Sequence, residues 1–350
     1  MRKPFKYAAV FSAAALALSA CGGSADDETT DAATDGGTEA TSDVKVGMAY
    51  DVGGRGDQSF NDAAAAGLDQ AIEEFGIETT EATAVDGEPE SAREERLQQL
   101  VDHGYTTIIA VGFAYAQSVA KVAPENPDVH FALIDSTDAE GENIANLTFA
   151  EHEGSFLVGA AAALKSKTGH IGYVGGVQVP LIQKFEAGYV AGAKEINPDI
   201  QIDSTYLTQP PDFSGFGDPA KGKTAAEGFY QSGADVVYHA AGGSGGGVFT
   251  AAQEANKMAI GVDSDQALTA AEDVRDVIIT SMIKKLDVAV YEFLKREVDG
   301  AFEGGALEFN LAEGGVDYST TGGKVDDIKD QLDELKQKII DGEIEVPTAP

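Results

Sequence analysis

The chain has 350 residues, one cysteine, no tryptophan and a formal net charge of −35 at pH 7. That charge repels nucleic acid and anionic lipid headgroups, and a single cysteine excludes both an internal disulfide and a cysteine-based metal site. The five histidines show no HxxxH or HExxH spacing, so neither a metal centre nor any other cofactor is expected.

In chain order, residues 1–20 begin with a basic tip (Arg2, Lys3, Lys6) and continue as an apolar stretch from Tyr7 to Leu18. This is the layout of a secretory signal peptide, and it is too short to span a bilayer. Leu18-Ser19-Ala20-Cys21 resembles a bacterial lipobox. Cys21 is therefore expected to carry the lipid that anchors the protein to the extracytoplasmic face of a cell membrane. Residues 21–43 hold seven acidic side chains, no basic ones and no large apolar ones, the composition of a flexible linker. No later stretch approaches ~20 consecutive apolar residues, so membrane contact is expected through the lipid alone.

From residue 44 onward, short β-branched runs alternate with amphipathic stretches. Strands are expected at 45–50, 77–84, 106–111 and 130–134. Helices are expected at 61–75, 91–102 and 114–122. Ser59 or Asn61 is expected to cap the first helix and Gly76 to end it. A second series opens with a strand at 144–149. It continues through helices at 154–164, 182–196, 220–231 and 248–256, with strands at 170–174, 201–207, 234–239 and 259–262. A strand at 276–280, a helix at 282–295 and a charged helix at 324–340 complete the chain.

This alternation predicts an α/β protein with two doubly wound parallel-sheet lobes joined by a hinge. The first lobe is expected to comprise 44–142 with about 265–300, and the second 143–264 with about 301–320. Residues 321–350 are left unassigned to either.

Ligands of open α/β sheets bind beyond the carboxyl ends of the strands. Asp51, Asp135 and Asp263 each directly follow an apolar run at such an end. Carboxylates there accept hydrogen bonds from hydroxyls or amines, as a sugar diol would supply. Two enzyme-like motifs fit less well. Gly217–Thr224 matches the phosphate-loop pattern GxxxxGK[ST], yet a Pro-rich segment separates it from the preceding strand and Pro219 lacks a backbone donor. Gly242–Gly246 matches GxSxG, but no histidine follows position 239 to complete a Ser-acid-His order. Phe60, in Asp57-Gln-Ser-Phe-Asn61, and Phe216 lie in loops where helix or strand periodicity needs no apolar residue. Two such faces suit a planar ring.

The segments 51–61, 111–113, 132–135, 153–159, 172–176, 218–223, 261–266 and 280–284 together resemble the basic membrane protein family of bacterial lipoproteins. These are substrate-binding proteins of ABC transporters, with characterised members that bind purine nucleosides. The resemblance implies a fold similar to type I periplasmic binding proteins, closing on its ligand without catalysis. It implies Phe60 and Phe216 on either side of a purine and Asp135 at the base edge. Asp263 and Lys284 fall on the ribose hydroxyls, while Asp51 contacts the ligand from the first strand end and Gly243 through its backbone. Phe213 is an alternative to Phe216. The implied partners are a purine nucleoside such as inosine, guanosine or adenosine, and an ABC permease with its ATPase. Gln58 departs from the family by standing where a basic residue is usual. Two other readings use the same cleft, a binding protein for another polyol or sugar-like ligand and a nucleoside hydrolase.

Overall fold

The computed structural model describes residues 43–350; the expected signal peptide, Cys21 and the expected linker up to residue 42 lie outside the described residues. The first half comprises β1 (Lys45–Tyr50), α1 (Phe60–Phe75), β2 (Glu78–Thr83), α2 (Glu90–Asp102), β3 (Thr107–Ala110), α3 (Ala116–Val122), β4 (His130–Ile134), β5 (Ile144–Phe149) and α4 (Glu151–Lys165). It is followed by β6 (His170–Val177), α5 (Pro180–Ile196), β7 (Gln201–Thr208), α6 (Pro219–Ser232), β8 (Val236–Ala240), α7 (Gly245–Ala255) and β9 (Met258–Asp263). The last part is α8 (Gln266–Thr269), β10 (Ile278–Lys284), α9 (Leu286–Val298), β11 (Gly305–Phe309), β12 (Val316–Tyr318) and α10 (Lys329–Ile340).

Two six-stranded sheets form two α/β lobes. Their orders are β2-β1-β3-β4-β5-β11 and β7-β6-β8-β9-β10-β12, parallel throughout except for β12, which runs antiparallel to β10. Both follow the doubly wound pattern in which strand order reverses beside the first strand, leaving a crevice at the strand carboxyl ends. The central strands are apolar on both faces, as sheets covered by helices on both sides require.

The seam lies later than the sequence suggests. β5, expected to open the second lobe, pairs with β4 and with β11 in the first sheet. β10, expected in the first lobe, pairs with β9 in the second. The chain thus passes between lobes after β5, after β10 and between β11 and β12. The strand expected at 276–280 runs on to Lys284, and the helix expected from 282 begins at Leu286, because Ile278–Lys284 is a buried edge-to-edge partner of β9. The short strands β11 and β12 have no apolar run long enough to announce them. α10 packs on α4 of the second lobe.

Glycines set the close helix contacts that hold the site walls. A Cβ on Gly192 of α5 would lie 1.9 Å from the Phe156 carbonyl oxygen of α4. The two enzyme-like motifs serve the same end. A Cβ on Gly247 would stand 1.8 Å from the Pro219 carbonyl oxygen, and one on Gly222 would stand 2.2 Å from that of Ser244. These glycines let α6 and α7 touch backbone to backbone. The Ser244 hydroxyl is buried, donating to the Gly215 carbonyl (2.7 Å) and accepting from the Asp218 N–H (2.7 Å), so it is not placed as a nucleophile.

Candidate functional site

Each lobe contributes strand-end loops to one cavity between them. Its space, including the opening to solvent, is about 580 Å³. Of the residues expected at the site, Asp51, Phe60, Asp135, Phe216, Asp263 and Lys284 all line it. Gly243 does not; its neighbour Gly242 does. The chain turns there at a positive φ of 52° on Gly242, which leaves Gly243 alongside the Phe216 carbonyl and Asp57.

The local sequence explains how the first-lobe groups are held. Asp51 follows β1 directly, and its N–H donates to the Asn61 side-chain oxygen (3.1 Å). Asp51 Oδ1 accepts the Val52 N–H (2.8 Å), while Oδ2 receives no donor from the described residues. Ser59 occupies the N-cap position of α1 but makes no capping bond; Asp57 takes that role, accepting the N–H groups of Asn61 and Asp62. Gly76 ends the helix in the left-handed conformation, as expected. Asp135, directly after β4, and Asp263, the last residue of β9, both adopt positive φ, 67° and 63°. This is uncommon backbone for a residue other than glycine, and here it marks the two strand ends that face the cavity.

Lys284, at the end of β10, joins both lobes. Its ammonium lies 2.6 Å from each Asp135 carboxylate oxygen and 3.1 Å from Glu151 Oε1, at the start of α4. Glu151 also meets Lys184 at 3.0 Å. The rings of Phe149, Phe60 and Phe185 stand 4.9, 5.2 and 5.7 Å from the same ammonium. Burial opposes the lysine's charge, yet the surrounding carboxylates hold its pKa above the usual range. Burial works against ionised Glu151 too, but Lys284 and Lys184 outweigh it and keep its pKa low. Asp135 is pushed up by burial, with Lys284 opposing and Glu151 adding to the rise.

Burial likewise pushes Asp51 and Asp263 up to about 6. Asp263 Oδ2 accepts the Ser59 hydroxyl at 2.6 Å, and Oδ1 receives no donor from the described residues. The cavity therefore presents two unpaired carboxylate oxygens, one from each lobe. Lys284, the one cation among the described lining residues, is already spent on Asp135 and Glu151. Such a site favours a neutral ligand that donates hydrogen bonds.

Phe216 rests on the second sheet; a Cβ on Gly176 would stand 2.5 Å from its ring. Phe213 does not line the cavity. It packs edge-on against Phe113 (5.9 Å, 66°), below the guanidinium of Arg93 (5.9 Å). Sequence reasoning missed the apolar wall from α5, Leu181, Ile182 and Phe185, because its spacing is that of any helix packing on a sheet. It also missed Glu151, a single acid at a helix start.

Residues 44–349 match the family described as PnrA-like ABC transporter substrate-binding protein, Bmp. The ABC transporter nucleoside-binding protein BmpA of Lactococcus lactis subsp. cremoris is 36% identical, the match covering 87% of this chain and 90% of that protein. A CD4+ T-cell-stimulating antigen of Listeria innocua is 35% identical over 97% of this chain and 96% of its own. Among solved structures, an ABC transporter solute-binding protein from Aeropyrum pernix K1 is 34% identical, with a TM-score of 0.76 over 87% of this chain and 93% of that one.

Proposed function

We propose, from the premise that this chain belongs to the Bmp family of PnrA-like ABC transporter substrate-binding proteins, that it binds a purine nucleoside in the interlobe cavity and delivers it to a permease. The observation that carries this reading is the pairing of Phe60 and Phe216 with the unpaired oxygens of Asp51 and Asp263 in one cavity that has no uncommitted cation among the described residues. Rings supply faces for a base, and carboxylates accept from the base N–H groups and the ribose hydroxyls. The name of the Lactococcus relative supports the ligand class.

Calorimetry with inosine and inosine monophosphate tests this directly. The nucleoside is expected to bind at least about tenfold more tightly, since a phosphate would enter a carboxylate-lined cavity with no free counter-charge. Comparable affinities would remove the reading. The same titration has a pH signature. Asp51 and Asp263, with pKa values near 6, accept fully only when ionised, so affinity falls as pH drops from 7 to 5. The ligand-free protein responds in the opposite sense. A carboxyl with a folded pKa above its unfolded one disfavours folding once ionised, so these groups stabilise the fold as pH falls through 6.

The proposal includes a lipid at Cys21. Cys21→Ser is expected to release the protein from the membrane fraction, and continued membrane retention would count against the anchor.

A further inference from the structure

The segment 57–59 of the first lobe is braced before it meets the second. The Asp57 carboxylate accepts the N–H groups of Ser59 (2.9 Å), Asn61 (2.8 Å) and Asp62 (3.1 Å), together with the Asn61 side-chain amide (3.0 Å). Asp62 in turn accepts the Gln58 N–H (3.0 Å). Gln58 is held at a φ of 56°, a conformation that this many local bonds can impose on a residue other than glycine.

Three groups on this braced segment meet the end of β9 and α8. The Ser59 hydroxyl donates to Asp263 Oδ2 (2.6 Å), and the Ser59 carbonyl accepts the Ser264 hydroxyl (3.2 Å). The Gln58 carbonyl accepts Gln266 Nε2 (2.9 Å). The Gln266 amide has its orientation set from within the second lobe: Oε1 accepts the Val262 N–H (2.8 Å) and lies 3.1 Å from His239 Nε2. Burial drives the His239 pKa down to about 4, so the ring is neutral and Nε2 carries the proton that Gln266 accepts. With Oε1 occupied, Nε2 of the amide is directed at the opposite lobe.

We infer that Ser59 and Gln266 are positioning residues forming a latch between the lobes, which sets how long the cleft stays closed on its ligand. Neither lines the cavity. Asp263 couples latch to site, because Oδ2 takes Ser59 while Oδ1 is left for the ligand. Phe60 follows Ser59 directly, so the braced segment and the stacking ring move together. The latch uses the backbone of Gln58 and not its side chain. The inference rests on the proposal that the cleft binds a nucleoside.

Surface plasmon resonance with inosine on the wild type, Ser59→Ala and Gln266→Glu tests it, with small-angle scattering of each ligand-free protein. Gln266→Glu retains an acceptor for the Val262 N–H and for His239 and replaces the donor to Gln58 with a carboxylate oxygen that repels its carbonyl. In each variant inosine is expected to leave about five- to tenfold faster, with association within about twofold of wild type, since the lost bonds act after encounter. Wild-type release rates in both variants overturn the latch. So does an altered order of preference between inosine and adenosine in Ser59→Ala, which would put Ser59 on the ligand. If the wild type itself retains no nucleoside, the binding proposal fails separately. The latch is then judged by scattering: larger radii of gyration in both variants uphold it, and unchanged radii overturn it.

Discussion

Replacing Lys284 with methionine is expected to destabilise the protein by about 3–5 kcal/mol at pH 7–8, the usual cost of stripping one partner from a buried ion pair. Methionine matches the length of the stem, so packing against Phe149, Phe60 and Phe185 is largely kept and the loss is electrostatic. What is left behind is Asp135 with no counter-charge and Glu151 with Lys184 alone. The deficit should shrink as pH is lowered toward 5. Burial already raises the Asp135 pKa, removal of the ammonium raises it further, and a protonated carboxyl no longer needs a cation. Urea unfolding of the two proteins across this range measures both effects. A variant within about 1 kcal/mol of wild type at pH 8 would mean that the Lys284 cluster does not hold the lobes together, since surface pairs are worth no more than that.

Phe216→Ala is expected to weaken inosine binding by about 10- to 100-fold, corresponding to the ~1–3 kcal/mol that a base–aromatic stack contributes. Phe213→Ala is expected to change it by no more than about threefold, since that ring does not line the cavity and contributes only an edge contact to the lining residue Phe113, beneath Arg93. Calorimetry on the pair separates the two phenylalanines, which sequence alone leaves as alternatives. The reverse result, with Phe213→Ala the more damaging, would move the base toward the mouth of the cleft. A small loss in both would remove stacking from the binding mode altogether.

Much of this protein is legible in its sequence, and the reasons are local. Ten of the twelve strands fall where the sequence predicts them, and the central ones appear as short apolar runs, because a strand buried between two helical layers must be apolar on both faces. Asp51, Asp135 and Asp263 stand out for the complementary reason: a polar residue directly after such a run sits at a strand end. Phe60 and Phe216 stand out by equally local information, because neither is needed for a helix or strand period, although the structure makes Phe60 the first residue of α1 and places Phe216 in a short turn at Ser214–Phe216. The membership of the Bmp family follows from motifs spread over nearly the whole length.

Tertiary structure decided what depends on residues far apart in the chain. The assignment of β5 to the first sheet and β10 to the second is a matter of strand pairing, and an apolar run carries no label for its partner. The commitment of Lys284 to Asp135 and Glu151 arises across separations of more than a hundred residues, and so does the Ser59–Asp263 contact. Ser59 looks like a helix cap in sequence, yet Asp57 takes the capping role and frees the hydroxyl to reach the other lobe. Composition and period determine which segments are buried and which ends are polar. Only the meeting of two lobes determines which of those polar ends are satisfied by protein and which are left for a ligand.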